Sequence, residues 1–276
     1  MRGDGDGWSR SADGSTHWGR HGAAGLLLRA PGVGGACVLL QHRVAWSHHG
    51  GTWGLPGGAR DSHETPVQAA LREADEEAGV RAVDVAVRGQ RVTAATAQGW
   101  TYTSVVADAP HVLPLAPNHE SAELRWVGEP DVDALALHPG LADAWTTLRA
   151  QPLRLLMDTA NVLGARPNGW WRDRAAATGL LLGEVAAAFP RTVELAGGGF
   201  GWVSGVDAVL EGAARAVQAS GVVVHRAPAS GDDELVRVVD DGNLVVTADR
   251  GLRARLPPSV AVVGPHTLLG WLGAAG

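Results

Sequence analysis

One short segment, residues 58–80, constrains this chain more than any other. It reads GARDSHETPVQAALREADEEAGV. Thr65 and Gln68 have the spacing of a capping box, and Pro66 suits the first position of a helix. Gly79 stands where a glycine can end a helix in the left-handed conformation. The segment therefore predicts a loop followed by a well-capped helix over residues 66–78.

The predicted helix has two unlike faces. At about 100° per residue, small and aliphatic side chains share one stripe: Val67, Leu71, Ala74 and Ala78. Glu73, Glu76 and Glu77 gather on the opposite side, and Arg72 can offset only one of their charges. Such an oxygen-rich, anionic patch suits Mg²⁺, which shares its coordination shell with waters and phosphates. A solvated acidic helix face is the alternative that helix geometry alone leaves open.

The same segment resembles the Nudix box, the signature of the Nudix hydrolases. Every fixed position of that signature is matched, by Gly58, Glu64, Arg72, Glu73, Glu76, Glu77 and Gly79. Only Ala74 departs slightly, because a larger aliphatic residue is usual there. The resemblance implies an α/β/α sandwich with a mixed sheet, and an enzyme that cleaves a diphosphate bond.

The resemblance also implies roles for individual residues. Glu76 and Glu77 would be the principal Mg²⁺ ligands, and Glu73 with the Gly58 carbonyl would complete the protein's share of the shell. Arg72 would orient the glutamates, while Glu64 would anchor the loop to the helix and Gly79 would end the helix. The expected cofactor is Mg²⁺, with Mn²⁺ as an alternative.

The catalytic base of a Nudix enzyme usually lies outside the box. Glu120 and Glu123 occupy the region just before a predicted strand where such a base is often found. We favour Glu120, although a solvated loop carboxylate would look the same in the sequence. The sequence assigns no substrate-binding residue.

Length and composition indicate two globular domains and exclude some classes of protein. The 276 residues exceed the ~150 typical of one domain, and we predict a boundary between 1–150 and 151–276. The net charge of −6 argues against broad electrostatic attraction to nucleic acid. Without an apolar run approaching the ~18 residues of a membrane span, we expect a cytoplasmic protein with no membrane partner.

The two halves differ in their predicted order of elements. In the first half we predict strands over 22–29, 36–42, 82–92, 100–107 and 123–127. In the second half we predict strands over 153–157, 207–210, 222–225, 244–247 and 260–263, alternating with Ala-rich helices. Such alternation is typical of a parallel sheet covered by helices on both faces.

Acidic residues follow the predicted strands of the second half. They are Asp158, Glu211, Asp232, Asp233 and Asp249. The carboxyl ends of parallel strands meet at one rim, where such folds build their sites. A bound divalent metal commonly offsets the repulsion between carboxylates gathered there. We therefore predict a second metal site at this rim.

The second half resembles the PIN/NYN-like nuclease fold. Two short motifs carry the resemblance, one from Asp158 to Asn161 and one from Thr247 to Arg250. It implies a Rossmannoid parallel-sheet domain related to metal-dependent ribonucleases, with RNA as a candidate partner. A degenerate or regulatory domain is the alternative.

Together the two resemblances predict Mg²⁺-dependent hydrolysis of a nucleoside diphosphate linked to another moiety. The expected substrate is a small-molecule nucleotide, either a nucleoside triphosphate, ordinary or oxidised, or a nucleotide sugar. The alternative is a nucleotide-sensing Nudix module that controls an RNA-processing or partner-binding second half. The complete set of Glu73, Glu76 and Glu77 favours the enzyme, because binding alone does not require all three.

Overall fold

The computed structural model of the protein describes residues 3–12, 14–167 and 169–273. The chain divides into two compact units. The first comprises Met1–Ala150 together with Thr192–Phe200, and the second comprises Gln151–Arg191 together with Gly201–Gly276. Among the helices of the described residues, none is both long enough and apolar enough to cross a membrane.

Strands and helices alternate along the chain. The strands are β1 (Trp8–Arg10), β2 (Thr16–Trp18), β3 (Ala23–Gly32), β4 (Gly35–Arg43), β5 (Trp53–Gly54), β6 (Gly57–Ala59), β7 (Ala86–Ala95), β8 (Thr101–Asp108), β9 (Ser121–Gly128), β10 (Ala150–Asp158), β11 (Arg191–Glu194), β12 (Phe200–Leu210), β13 (Val222–Arg226), β14 (Asn243–Val246) and β15 (Ala261–Val263). The helices are α1 (Pro66–Ala78), α2 (Pro139–Leu148), α3 (Thr159–Gly164), α4 (Arg174–Ala188), α5 (Gly231–Val238), α6 (Arg250–Arg253) and α7 (Pro265–Gly273). The predicted strands over 22–29 and 36–42 are present as β3 and β4, which form a hairpin, and the predicted helix α1 is confirmed.

A mixed seven-stranded sheet forms the centre of the first unit. Its main path runs β5-β4-β3-β8-β7, with β6 also paired to β3 and β9 to β4. The pairing of β3 with β8 is parallel, whereas β3 with β4, β4 with β9 and β7 with β8 are antiparallel. The predicted mixed sheet is therefore present.

Helices cover both faces of this sheet. Side chains alternate along β3, so that Leu26 and Leu28 belong to the core on one face and Leu27 to the core on the other. The first core includes Ala69, Ala70, Ala74 and Ala78 of α1. The second core includes Leu141, Trp145 and Leu148 of α2. The buried side of α1 is thus largely alanine, which lets the helix backbone approach the sheet closely.

Two parts of this unit differ from the prediction. The predicted strand over 82–92 begins later, because Ala82–Asp84 form a turn of 3₁₀ helix before β7. The segment Thr192–Phe200, which we predicted to belong with 151–276, instead groups with the first unit. Buried Asp108 accepts hydrogen bonds from the Thr192 backbone N–H at 2.8 Å and from its hydroxyl at 2.6 Å. Phe200 lies in the core beside α2.

The second unit is built around five strands of one sheet. They run in the order β12-β10-β14-β15, and β13 also pairs with β12. The pairings of β10 with β14, β14 with β15 and β12 with β13 are parallel, as the alternating pattern indicates. The chain therefore leaves β10 toward β12 on one side and returns to β14 on the other. Such a reversal of strand order creates a crevice beyond the carboxyl ends of the two central strands.

A buried ion pair crosses the core of the first unit. Arg29 is fully buried, and its guanidinium donates to both carboxylate oxygens of Glu129 at 2.8 to 3.2 Å. It also donates to the carbonyl of Leu148 at 2.5 Å, while Glu129 accepts from the backbone N–H of Ala150 at 2.6 Å. The pair thus joins β3 to the end of α2 through hydrogen bonds that water cannot replace.

We expect Arg29→Met to lower the free energy of unfolding by about 3–5 kcal/mol, because it leaves the buried Glu129 carboxylate without a counterion. Urea denaturation measures the change. The control is Arg81→Met, which removes an exposed ion pair with Asp84 and should leave stability close to wild type. A loss for Arg29→Met as small as that of the control would contradict the role given to the buried pair.

Candidate active site

The ends of helix α1 determine where its carboxylates stand. At the N-terminus, the Thr65 hydroxyl accepts from the Gln68 backbone N–H at 3.3 Å, and the Gln68 side chain accepts from the Thr65 N–H at 2.8 Å. At the C-terminus, Gly79 adopts φ 71°, a left-handed conformation that suits glycine. Both predicted caps are confirmed. They define where helix α1 begins and ends.

Arg72 links this helix to the preceding loop. Its guanidinium donates to both carboxylate oxygens of Glu64, at 2.7 and 3.1 Å, to the carbonyl of Ala59 at 2.9 Å and to Glu73 at 2.8 Å. Glu64 also accepts from the backbone N–H of Asp61 at 3.0 Å. Hydrogen bonds from Arg72 lower the pKa of Glu64 and keep it ionised. Loop and helix are therefore joined around one cation.

Glu77 is the most buried of the helix carboxylates. Only 4% of the residue is exposed, and its carboxylate accepts from the Gly57 backbone N–H at 2.7 Å. Burial, followed by the charge of Glu73, raises the pKa of Glu77 to about 8. Burial also raises the pKa of Glu73, although hydrogen bonding to Arg72 acts in the opposite direction. The negative charge of this patch is therefore poorly solvated.

The remaining acids of the prediction differ in their surroundings. Glu76 is largely exposed and lies 3.7 Å from the Arg72 guanidinium. Half-exposed Glu120 is near enough for its charge to raise the pKa values of Glu73 and Glu77. Glu123 instead forms an ion pair with Arg125 at 2.7 Å. Of the two base candidates, Glu120 has its charge beside the helix carboxylates.

Gly58 faces these carboxylates from β6. Its Cα lies so close to Glu73 that a Cβ added there would come within 2.7 Å of the Glu73 carboxylate. Glycine is needed here for close approach rather than for an unusual φ. The absence of a side chain at Gly58 lets Glu73 lie directly against the backbone of the strand.

One polar neighbour of the site was missed in the sequence. Gln41 is 1% exposed on β4, its amide donates to the Ser121 hydroxyl at 2.9 Å, and hydrogen bonding to Gln41 lowers the pKa of Glu77. A buried glutamine in the otherwise apolar strand over 36–42 was the available signal, since a polar group buried in a strand needs a partner.

The donor set of this site fits a hard divalent cation. It consists of carboxylate oxygens, the ligand type that Mg²⁺ prefers, on a helix that approaches the backbone of Gly58 closely. The raised pKa values of Glu73 and Glu77 arise from burial of negative charge that a cation would offset. Glu76 and Glu120 are more exposed and can reach a bound ligand.

Comparison with known proteins identifies the family. The NUDIX domain family matches residues 19–149. The chain is 51% identical over 213 residues to a Mycobacterium tuberculosis protein named "Putative 8-oxo-dGTP diphosphatase 3", a match that covers 75% of this chain and 88% of the relative. The chain belongs to the Nudix family. Nudix enzymes act on small-molecule nucleotides and generally use divalent metals such as Mg²⁺.

Two further relatives support this membership. A solved structure of the Nudix hydrolase RenU from M. smegmatis is 60% identical, with a TM-score of 0.50, and covers 51% of this Nudix chain and 91% of RenU. A Bifidobacterium longum protein, named a nucleoside triphosphate pyrophosphatase/Nudix hydrolase fusion protein, is 42% identical over 153 residues. That match covers 53% of this chain and 31% of the relative.

The second unit contains an acidic cavity of about 540 Å³, lined by Asp158, Ala160, Asn161, Gly164, Ala165, Trp170, Arg174, Asp232, Ala248, Asp249, Pro265 and His266. It lies beyond the carboxyl ends of β10 and β14, where the strand order reverses. Three of the five predicted rim acids thus share one cavity. Of the other two, Glu211 accepts from the Gly231 backbone N–H at 2.8 Å, and Asp233 pairs with Arg255 at 2.6 Å.

Asp158 is held firmly at the centre of this rim. Its carboxylate accepts from the Asn161 backbone N–H at 3.1 Å and from the Thr247 hydroxyl at 2.9 Å. Burial raises its pKa, and the charges of Asp232 and Glu211 act in the same direction. Burial and the charge of Asp249 likewise raise the pKa of Asp232. The charges of these acids therefore act on one another, and two rim acids have a cation beside them: Arg174 lies 3.5 Å from Glu211, and Arg255 lies 2.6 Å from Asp233.

We expect Gly58→Ala to weaken Mg²⁺ binding with little loss of stability, because the added methyl group meets the movable end of Glu73 and displaces it. The Mg²⁺-induced rise in Tm and the Tm without metal measure the two effects separately. Gly89→Ala is the control, since a Cβ there meets its nearest neighbour at an ordinary 3.5 Å. Equal Mg²⁺ responses in the two variants would contradict the close-approach argument.

Proposed function

We propose that the first unit catalyses Mg²⁺-dependent hydrolysis of a diphosphate bond in a nucleotide. The observation that carries the proposal is the fixed arrangement of Glu73, Glu76 and Glu77, locked by Arg72 to the loop and by Gly79 at the helix end. A Mg²⁺ ion bound there would neutralise phosphate oxygens and activate water. For a nucleoside triphosphate the products are the monophosphate and diphosphate.

The residues of the site have separable tasks in this proposal. Glu76 and Glu77, with Glu73 and the Gly58 carbonyl, hold the cation, and Arg72 orients Glu73 by its hydrogen bond of 2.8 Å. Glu120 accepts the proton of the attacking water, because it is half-exposed and its charge reaches Glu73 and Glu77. Buried Glu77 gains most from a cation, since neither water nor Arg72 balances its charge directly.

The proposed substrate class rests on the resemblance to relatives. The M. tuberculosis relative bears the name of an 8-oxo-dGTP diphosphatase and shares 51% of its aligned residues with this chain. We therefore propose a purine nucleoside triphosphate oxidised on its base as the preferred substrate, with ordinary triphosphates and nucleotide sugars as competitors. The protein is incubated with 8-oxo-dGTP, dGTP and ADP-ribose in Mg²⁺. The amounts of product, identified by mass spectrometry, rank these three substrates.

We expect Glu76→Gln to lower kcat/KM on the preferred nucleotide by at least about 10²-fold while the helix stays folded, because one ligand charge is lost at nearly constant size. Asp75→Asn is the matched control, an exposed neighbour on the same helix that is outside the signature. Near-normal turnover by Glu76→Gln would reject the metal assignment. Tight nucleotide binding with no turnover by the wild type would favour the sensing alternative.

For the second unit, the acidic cavity supports a metal-dependent ribonuclease of the PIN/NYN-like kind. Asp158, Asp232 and Asp249 line one cavity, and Glu211 is coupled to them. Trp170 and Arg174 on its wall offer an aromatic face and a positive charge, which are the groups that contact bases and phosphates of single strands. The four acids would hold the metal, and Asn161 and Thr247 would orient Asp158.

We expect the full-length protein to cut single-stranded RNA internally in Mn²⁺ or Mg²⁺, and Asp158→Asn to abolish this cleavage. The RNA carries a 5′-hydroxyl group, so that it contains no diphosphate bond for the first unit. Asp241→Asn, which removes an exposed acid hydrogen-bonded to Ser259, is the control. If neither protein cuts RNA and Asp158→Asn raises Tm without metal, the cavity belongs to a degenerate domain whose acids only repel one another.

A further inference from the structure

Three histidines distant in the sequence converge in the first unit. His48 and His49 lie in the loop of residues 44–52 between β4 and β5, and His138 is the N-cap residue of α2. Backbone hydrogen bonds bring the two segments together, because the Trp53 carbonyl accepts from His138 N–H at 2.7 Å and Trp53 N–H donates to Ala136 at 2.8 Å. The three imidazoles form what we call the histidine cluster.

The rings of the histidine cluster are close enough to share one ligand. Ring centroids of His48 and His49 are 4.0 Å apart, and those of His49 and His138 are 4.8 Å apart. One nitrogen of each ring lies within 4.8 Å of the corresponding nitrogens of the other two. His49 also adopts φ 55°, the left-handed region that a non-glycine residue rarely occupies.

His48 and His138 favour the uncharged form. Burial, His49 and Arg43 lower the pKa of His48, and burial, His49, Arg43 and His48 lower that of His138 to about 4. Arg43 is the cation in this group, and its guanidinium is engaged with the His48 carbonyl at 3.3 Å. Metal coordination requires the neutral imidazole, because protonation removes the lone pair that binds the ion.

We propose that His48, His49 and His138 form a binding site for one divalent transition-metal ion, of which Zn²⁺ is the expected class. Three imidazoles without a carboxylate suit Zn²⁺ and disfavour Mg²⁺, which requires oxygen ligands. Three protein ligands leave a fourth tetrahedral position for water or an external ligand, and His48 and His49 are exposed. None of the three histidines belongs to the Nudix box.

Coordination by His138 changes its present hydrogen bond. Nδ1 of His138 now accepts from the Gly140 backbone N–H at 3.1 Å and caps α2. A metal either takes this lone pair or binds Nε2 after the ring proton moves to Nδ1, and in both cases the Gly140 N–H loses its acceptor. The variant His138→Asn separates the two roles, because asparagine keeps the cap but removes the imidazole.

The test uses the full-length protein in saturating Mg²⁺, which occupies oxygen sites but competes poorly for imidazole. Zn²⁺ is titrated by calorimetry, and Co²⁺ is added as a spectroscopic substitute whose visible absorption reports tetrahedral nitrogen ligation. We expect one equivalent of Zn²⁺ and a Co²⁺ band in the wild type. His49→Asn and His138→Asn should each lose at least about 10-fold in affinity, as even outer-shell losses cost that much.

Asparagine at position 49 tolerates the left-handed backbone, so that the variant keeps the loop conformation. Circular dichroism and Tm without metal check that both variants are folded. His63→Asn is the matched control, because His63 belongs with Asp4 and Asp61 to another group whose ligand atoms lie within 4.8 Å of one another. The proposal is overturned if the wild type takes up no Zn²⁺, if both cluster variants bind like wild type, or if only His63→Asn loses binding.

Discussion

The Arg72 guanidinium holds the loop after β6 against helix α1, and the rest of the Nudix site depends on this contact. One planar cation engages two carboxylates and a backbone carbonyl, with four hydrogen bonds of 2.7 to 3.1 Å. Arginine suits this role because its fork of donors matches carboxylate geometry and remains charged at all relevant pH values. The loop after β6 and the helix α1 therefore move as one body, and Glu73 and Glu77 share its orientation.

Packing of helix α1 against the sheet fixes where its carboxylates lie. The alanines on the buried side of α1 bring the helix backbone close to the sheet, and Gly58 leaves room for the Glu73 carboxylate against β6. The same closeness buries Glu77, which raises its pKa, so that its charged form is favoured only when a cation offsets the buried charge. Packing of small residues thus buries the carboxylate of Glu77, and this burial favours the binding of a cation.

The second unit also brings carboxylates together, but from separate elements rather than from one helix. Its acids come from the ends of separate parallel strands, and the reversal of strand order around β10 gathers them at one cavity. Asp158 is held by Asn161 and Thr247, which are close in space because β10 and β14 are neighbours. In both units the backbone places carboxylates close enough for one to raise the pKa of another.

Local spacing in the sequence determined the helix α1 and its two caps, because these depend on residues three and four positions apart. It placed all three glutamates opposite the buried side, whereas Glu77 is buried with the alanines. The alternation of apolar segments predicted a parallel sheet in the second half, and β10, β14 and β15 do pair in parallel. Tertiary structure alone decided the burial of Glu77 beside Gln41, the association of Thr192 with Asp108 and the meeting of His138 with His48 and His49. Each of these joins residues far apart in the chain, and local patterns carry no information on such contacts, since they follow from the packing of whole elements.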